Sequence, residues 1–481
     1  MRSMLRLLAM QAASLFIFIP LAAQAQATPK TPPKTWVDKD TGHRVYRLTD
    51  EPGSSALYFN FDAYTPDGRQ MVYSSPAGIH MLDLVTRQTR LLVPAPPSPA
   101  DSAPGRPNMA RRILAVGRST GAVYFSEMSS DGLSSVYSAD STTGTVRKLV
   151  TLPPRATVVT INADETLASG TYVEGDHSAE EYGNNLPKSP SPAAGGRMSN
   201  GNPSGSLVQP DGKGQMMARR LAAHLPMVLF VVDLKTGKLK ELLHSTEWIN
   251  HMLFSPVDPT LLMYCHEGPW QLVDRIWLIR TDGTHNTLIH KRTMFMEIAG
   301  HEFWSGDGQS IWYDWQFPKG QVYFLAGYEI ATGHRVAYNM TPNQWSIHFN
   351  GSNNPAVFAG DGGDSGQVTQ APDGTWIELY HAEPLSRHNG FNNPDLIQPG
   401  ILRSEHLVNM ANHNYKLEPN ERFSPDDKLI FFTSNMFGPS YVFAVEVAQA
   451  VDPAAGEVLS TPALAQRFAR KPPPTPFGEQ W

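Results

Sequence analysis

Cysteine is all but missing from this chain. Cys265 is the only one in 481 residues, so no disulfide can close within the chain and stability must come from a packed core. The same scarcity excludes a thiolate-rich zinc site. Cys265 itself reads as a small buried hydrophobe rather than a nucleophile. An excess of basic charge is missing too. The formal net charge is −6 with no basic stripe, which argues against nucleic acid as a partner. Long apolar runs are also lacking. The N-terminal stretch Leu15 to Leu21 is too short to span a bilayer, and no other segment reaches that length.

That N-terminal stretch has another reading. Arg2 and Arg6 precede it and Ala23-Gln24-Ala25 follows it, the pattern of a cleaved export signal. Residues 1–25 are therefore expected to be removed, leaving a protein with no membrane span, periplasmic or secreted. Residues 26–35, rich in Pro, Lys and Thr, read as a linker, and residues 451–481 as a tail.

What the chain has in quantity is glycine (38), proline (40) and aromatic residues (10%), a mixture suited to many short strands joined by turns. Two turn patterns alternate. Thr65-Pro66-Asp67-Gly68, Gly306-Asp307-Gly308, Pro372-Asp373-Gly374 and Ser424-Pro425-Asp426 each precede an apolar strand. Asp233-Leu234-Lys235-Thr236-Gly237 and Glu329-Ile330-Ala331-Thr332-Gly333 each join two strands, as do Leu82-Asp83-Leu84 and Ser138 to Gly144, with Gly where a hairpin wants positive φ. Each pair of patterns makes about four strands with a period of roughly 40–60 residues, the size of a propeller blade. The expected fold is all-β, a seven-bladed β-propeller over residues 36–450. Two stretches break the rhythm. Residues 178–213 read as a flexible insertion, followed by a short helix over 214–224, and His388 to His406 reads as irregular.

Four polar clusters fall at strand ends in the C-terminal half: Cys265-His266-Glu267-Gly268-Pro269-Trp270, Gly300-His301-Glu302-Phe303-Trp304, Trp345-Ser346-Ile347-His348 and His413 to Asn420. In a propeller, side chains from successive blades meet at the mouth of the central channel. Glu418 and Asn420 are two apart and face the same way on a strand. A histidine with a carboxylate and an amide oxygen suits a divalent ion, Mn²⁺ or Ca²⁺ before Zn²⁺, so His301, Glu418 and Asn420 are the expected ligands. Asp361, in a Gly-rich turn, is placed to orient a neighbour. The tryptophans at 304, 312, 315 and 345 read mostly as blade packing.

These motifs together resemble the oligogalacturonate lyases, a polysaccharide lyase family with a seven-bladed propeller. The resemblance rests on His266-Glu267-Gly268-Pro269 with Val273-Asp274-Arg275-Ile276-Trp277, on His301-Glu302-Phe303-Trp304, on His348 and Gly360-Asp361-Gly362, and on Phe423-Ser424-Pro425-Asp426 with Phe432-Thr433-Ser434. It implies metal-assisted β-elimination of short uronate oligosaccharides, with His266 as base and His301 as metal ligand. The family's Gln-x-x-His-x-His ligand segment is replaced here by Tyr415-Lys416-Leu417-Glu418-Pro419-Asn420, so oxygens stand where imidazoles are expected. The family's substrate arginine has no clear match. Arg220 and Arg275, with Arg219 beside them, are the candidates for it, and His348 and His413 are candidate substrate contacts. A non-catalytic envelope propeller that binds glycans or proteins is the competing reading. A glycoside hydrolase would need a carboxylate pair, and none stands out.

Overall fold

The computed structural model describes residues 32–96, 111–175, 212–270, 272–364, 371–385 and 395–450. The expected signal segment, most of the linker, the insertion up to residue 211 and the C-terminal tail lie outside these residues. Within them the chain is almost entirely β. The exceptions are one α-helix, Gly212–Ala223, and a single 3-10 turn, Pro342–Gln344. No described helix is long and apolar enough to cross a membrane.

The turn chemistry explains the strands. Asp140 Oδ1 accepts the backbone N–H groups of Thr142 (2.9 Å) and Thr143 (2.7 Å), and Asp233 Oδ1 accepts those of Lys235 (3.0 Å) and Thr236 (2.6 Å). The glycines that follow, Gly144 and Gly237, take φ of 74° and 72°, which costs a residue without Cβ nothing. Each such turn sends the chain back antiparallel.

The strands form six sheets among the described residues. The eight-stranded one is two four-stranded meanders joined by a parallel pair, Val336↔Gln398 to Asn339↔Ile401, so the strands fall into seven antiparallel blades. Blade 1 holds Gln70–Ser75, Gly78–Asp83 and Thr89–Pro94, with an inner bridge Tyr64↔Met71. Blades 2, 3, 4 and 5 begin on the inner strands Arg111–Val116, Thr157–Ile161, Trp248–Phe254 and Ile298–Trp304. Blade 6 runs from Phe349–Gly351 to Gln398–Asn409. Read from the sequence as irregular, the segment 398–406 is instead part of the longest strand, paired on both edges. Pairing with two neighbours outweighs a weak local propensity.

Hydrogen bonds join each blade to the next around a closed ring. Ser119 N and Thr120 N reach Glu165 (2.7 and 2.9 Å), Asn162 Nδ2 reaches Pro259 O (3.1 Å), and Trp304 Nε1 reaches Leu253 O (3.1 Å). Tyr323 OH reaches Ser346 O (2.7 Å), Asn353 N reaches Asp427 (3.0 Å), and Tyr64 OH reaches Phe423 O (2.7 Å). Arg90 reaches Ser141 O between blades 1 and 2. Closure itself is made by the N-terminal strands. His43–Arg47 pairs with Tyr441–Gln449, and Thr35–Val37 adds outside it, so the last blade is built from both ends of the described chain. Phe443, with no exposed surface, sits in that seam against Phe432 (centroids 5.6 Å) and Trp36 (5.9 Å). Phe443→Ala is expected to cost about 3–5 kcal/mol of stability by leaving a cavity at the seam. Urea denaturation will read it as a lowered midpoint.

Candidate active site

A cavity of about 410 Å³ opens in the channel, walled by inner-strand residues of several blades, among them Arg112, His251 and His301, and by Tyr58, Glu267, Arg275, Asp314 and Glu418. Two of its histidines arrive there by the same local device. The inner strand of blade 4 loses register between Asn250 and Leu253, and that of blade 5 between Gly300 and Phe303. His251 and His301 sit in those bulges with φ of 47° and 49°. A bulge re-aims a side chain out of the strand's alternation, and positive φ in a residue other than glycine is strain of the kind held at functional sites.

His301 is held from behind. Its Nδ1 lies 3.0 Å from Asp314 Oδ1. Asp314 is buried and also accepts Gln316 Nε2 and Tyr323 OH, both at 3.2 Å. Burial alone would push the Asp314 carboxyl up, but the His301 imidazole and these donors hold it below its usual range. It therefore stays a carboxylate and accepts a hydrogen bond from Nδ1–H, which turns the Nε2 lone pair toward a ligand. His348 repeats the arrangement one blade on. Its Nδ1 lies 2.7 Å from Asp361 Oδ2, and Asp361 Oδ1 accepts the His348 backbone N–H at 2.9 Å. The rings of His301 and His348 are 5.0 Å apart, centroid to centroid. His348 Nε2 is 3.9 Å from Glu418 Oε2 and 3.2 Å from Tyr58 OH. Two imidazoles, each backed by a buried carboxylate, thus lie beside a partly exposed glutamate.

Among the expected ligands, His301 and Glu418 line the cavity. Asn420 does different work. Its amide oxygen accepts Phe59 N at 3.2 Å and its Nδ2 donates to Glu418 O at 3.0 Å, so it braces the loop that carries Glu418. His348, read from the sequence as a substrate contact, is itself buried, and its Nε2, beside Glu418 and Tyr58 OH, is the third candidate donor atom next to His301. One buried trio, His348, Asp361 and Glu421, also has donor atoms within 4.8 Å of one another. Burial and the adjacent Asp361 push the Glu421 carboxyl well up. A wholly buried trio offers no open position for substrate, which a catalytic metal needs.

The expected base, His266, points elsewhere. On Leu261–Glu267 alternate residues face opposite sides. Glu267 faces the channel and His266 does not. The His266 ring meets Tyr264 and Trp277 edge-on at 5.4 and 5.5 Å, and it lines a separate cleft with Glu174, His244 and Glu247. Its Nδ1 is 3.1 Å from Glu247 Oε2 but not aligned for a hydrogen bond. Burial draws its pKa down to about 4. The imidazole that does face the cavity is His251, whose Nε2 lies 3.7 Å from Glu267 Oε2. Glu267 also accepts Asn250 Nδ2 at 2.5 Å.

The other sequence candidates divide in the same way. Arg275 reaches the cavity, but its Nε is paired with Glu302 Oε2 at 3.0 Å, both groups buried. Arg220, on the helix, lies over the Trp248 ring at 4.0 Å and outside the cavity. His413 is a brace. Its Nε2 meets Leu417 O at 2.7 Å and its Nδ1 meets Ser434 Oγ at 3.0 Å. The signal sequence reasoning missed is His251, a lone histidine inside the apolar strand WINHMLF.

Residues 222–451 match the sequence profile of the family described as oligogalacturonate lyase. The C-terminal half of the chain is similar to the oligogalacturonate lyases. Over 235 residues it is 27% identical to the oligogalacturonate lyase of Dickeya dadantii (strain 3937) and 28% identical to the oligogalacturonide lyase of Pectobacterium atrosepticum. Those matches take in 46% of this chain and 56% of each relative, so the alignment spans about half the length of the curated relatives. The fold likeness is wider. A structure of oligogalacturonate lyase in complex with manganese superposes with a TM-score of 0.64 at 21% identity, covering 86% of this chain and 96% of that one. The oligogalacturonate lyase of Vibrio parahaemolyticus gives 0.62 at 20%, covering 87% and 97%. At these identities the superpositions establish a shared fold, and the family similarity lies in the C-terminal half.

Proposed function

We propose that this protein is a lyase that cleaves short galacturonate oligosaccharides by β-elimination, with a divalent ion held by His301, His348 and Glu418. The observation that carries the reading is the pair of carboxylate-backed imidazoles beside Glu418, at the wall of a cavity lined by His301, Glu418 and a further imidazole, His251. The family match of the C-terminal half and the manganese in a structural neighbour support it. The donor set fits the ion. Two imidazole nitrogens and one carboxylate favour Mn²⁺ over Ca²⁺, while the buried Cys265 offers no thiolate for a structural zinc.

The chemistry asks for a base and for charge neutralisation. The C5 proton of a uronate is α to a carboxylate and only weakly acidic while that carboxylate is charged. A divalent ion held by His301, His348 and Glu418 would supply charge neutralisation of that carboxylate and so acidify C5–H. His251, as the neutral imidazole, removes the C5 proton. The C5–H electron pair becomes the C4=C5 double bond, the C4–O bond breaks, and the departing oxygen takes up a proton. Glu267, fixed by Asn250, holds the His251 ring toward the cavity. Placing this activity in the periplasm or outside the cell follows from residues 1–25 alone.

Oligogalacturonates incubated with the protein should give the ultraviolet absorbance of an unsaturated uronate. A chelator should abolish it, and Mn²⁺ should restore it. A panel of uronate oligomers yielding no unsaturated product with any added metal would sink the reading.

A further inference from the structure

The sequence left open which arginine meets the substrate's carboxylates, and the structure points outside the family-matched segment. Arg112 lies on the inner strand Arg111–Val116 of blade 2 and lines the same cavity as His251, His301 and Glu418. Its guanidinium has no hydrogen bond or ion pair among the described residues. Its Cζ lies over the Phe61 ring, 6.0 Å from the centroid. The other arginines around the channel are committed. Arg275 is tied to Glu302, Arg422 donates to the carbonyls of Tyr58 (2.7 Å) and Phe61 (2.9 Å), and Arg111 is paired with Glu127.

The carboxylates that line the cavity are engaged by other residues: Asp314 holds His301, Glu267 takes Asn250, and Glu418 stands beside His348. Arg112 therefore faces the channel with a charge that the fold itself does not neutralise. Arg112 is exposed to the channel, and the protein packed around it still draws its pKa down by partial desolvation. Lining the cavity without a partner among the described residues, the guanidinium is placed to take an anion that a ligand brings. A planar guanidinium matches a carboxylate with two parallel hydrogen bonds.

We propose that Arg112 binds a galacturonate carboxylate of the substrate and is a specificity residue supplied by the N-terminal half of the chain. This rests on the lyase reading above. In a ring of seven, blade 2 stands across the channel from blades 5 and 6, which carry His301 and His348. The carboxylate Arg112 takes is thus that of a neighbouring sugar, not the one whose C5 proton is removed. Arg112 would then make the enzyme prefer chains in which adjacent uronates are both charged.

The test is steady-state kinetics of Arg112→Ala, Arg112→Met and Arg112→Lys on oligogalacturonate and on its methyl ester. Loss of a charge-assisted bidentate contact should raise KM for the charged substrate about 10–100-fold, with kcat within a few-fold. Arg112→Lys should recover part of the loss, and the ester should show the same KM with every variant. Arg112→Met keeps the apolar stem should Arg112→Ala fold poorly. An active wild type whose Arg112→Met variant keeps its KM for the charged substrate overturns the assignment and leaves the lyase reading intact. A wild type that cleaves no uronate oligomer overturns the lyase reading, and the Arg112 role falls with it.

Discussion

His251→Ala is expected to lower kcat by about 10²–10⁴-fold, the usual contribution of a positioned general base. Metal binding and the melting temperature should be unchanged. The ring sits in a bulge at the cavity wall, with the Tyr58 ring 6.3 Å away, centroid to centroid. Glu267, its neighbour at 3.7 Å, is buried and fixed by Asn250. The comparison that decides the matter is His266→Ala. That side chain lies on the opposite side of the same hairpin against Trp277, so its removal should leave kcat within a few-fold. Should His266→Ala lose the larger share of kcat while His251→Ala turns over normally, the assignment of the base is reversed.

The second large effect is on the metal. His301→Ala should abolish turnover together with Mn²⁺ binding, measured by calorimetry on the purified protein. Asp314→Asn should act through the ring rather than on the ion. It removes the acceptor that holds Nδ1–H and should weaken metal affinity about 10–100-fold, the usual cost of losing an outer-shell partner. His301→Ala should lose more than that. Glu418→Gln should fall between them, because Asn420 and Asn414 near it are engaged in bracing the loop. If His301→Ala binds Mn²⁺ as tightly as wild type, the ion is not held by the carboxylate-backed imidazoles. The buried trio of His348, Asp361 and Glu421 would then be the place to look.

Which side chains gather near the channel was partly legible before the structure. His301 was recognisable because it stands in a four-residue motif, and Asp361 because a Gly-rich turn that is no phosphate loop still presents a carboxylate. Glu418 followed from its place in the last polar cluster. His266 was the more conspicuous histidine and the wrong side of its strand. Both His266 and Glu267 lie in the same motif, but only one of two adjacent strand residues can face a channel. Which one does depends on how the blade is set in the ring. Asn420 was read as a ligand because its amide resembles one in composition. Its oxygen is spent on Phe59 N, a residue 361 positions away in sequence.

The sequence by itself determined what is local and repeated. Asp and Thr-Gly turns fix hairpins through hydrogen bonds within five residues, so their recurrence specified strands, blade size and an all-β ring. A single cysteine settled that the core, not disulfides, holds that ring together. Tertiary structure alone decided what depends on distant partners or on one lost residue of register. The bulges that turn His251 and His301 inward arise from pairing between strands. The strand 398–409 is ordered by two neighbours rather than by its own composition. Arg112 meets the C-terminal histidines only because strand His43–Arg47 closes the ring on Tyr441–Gln449. Ring closure brings residues hundreds of positions apart to one channel, and no local pattern encodes that proximity.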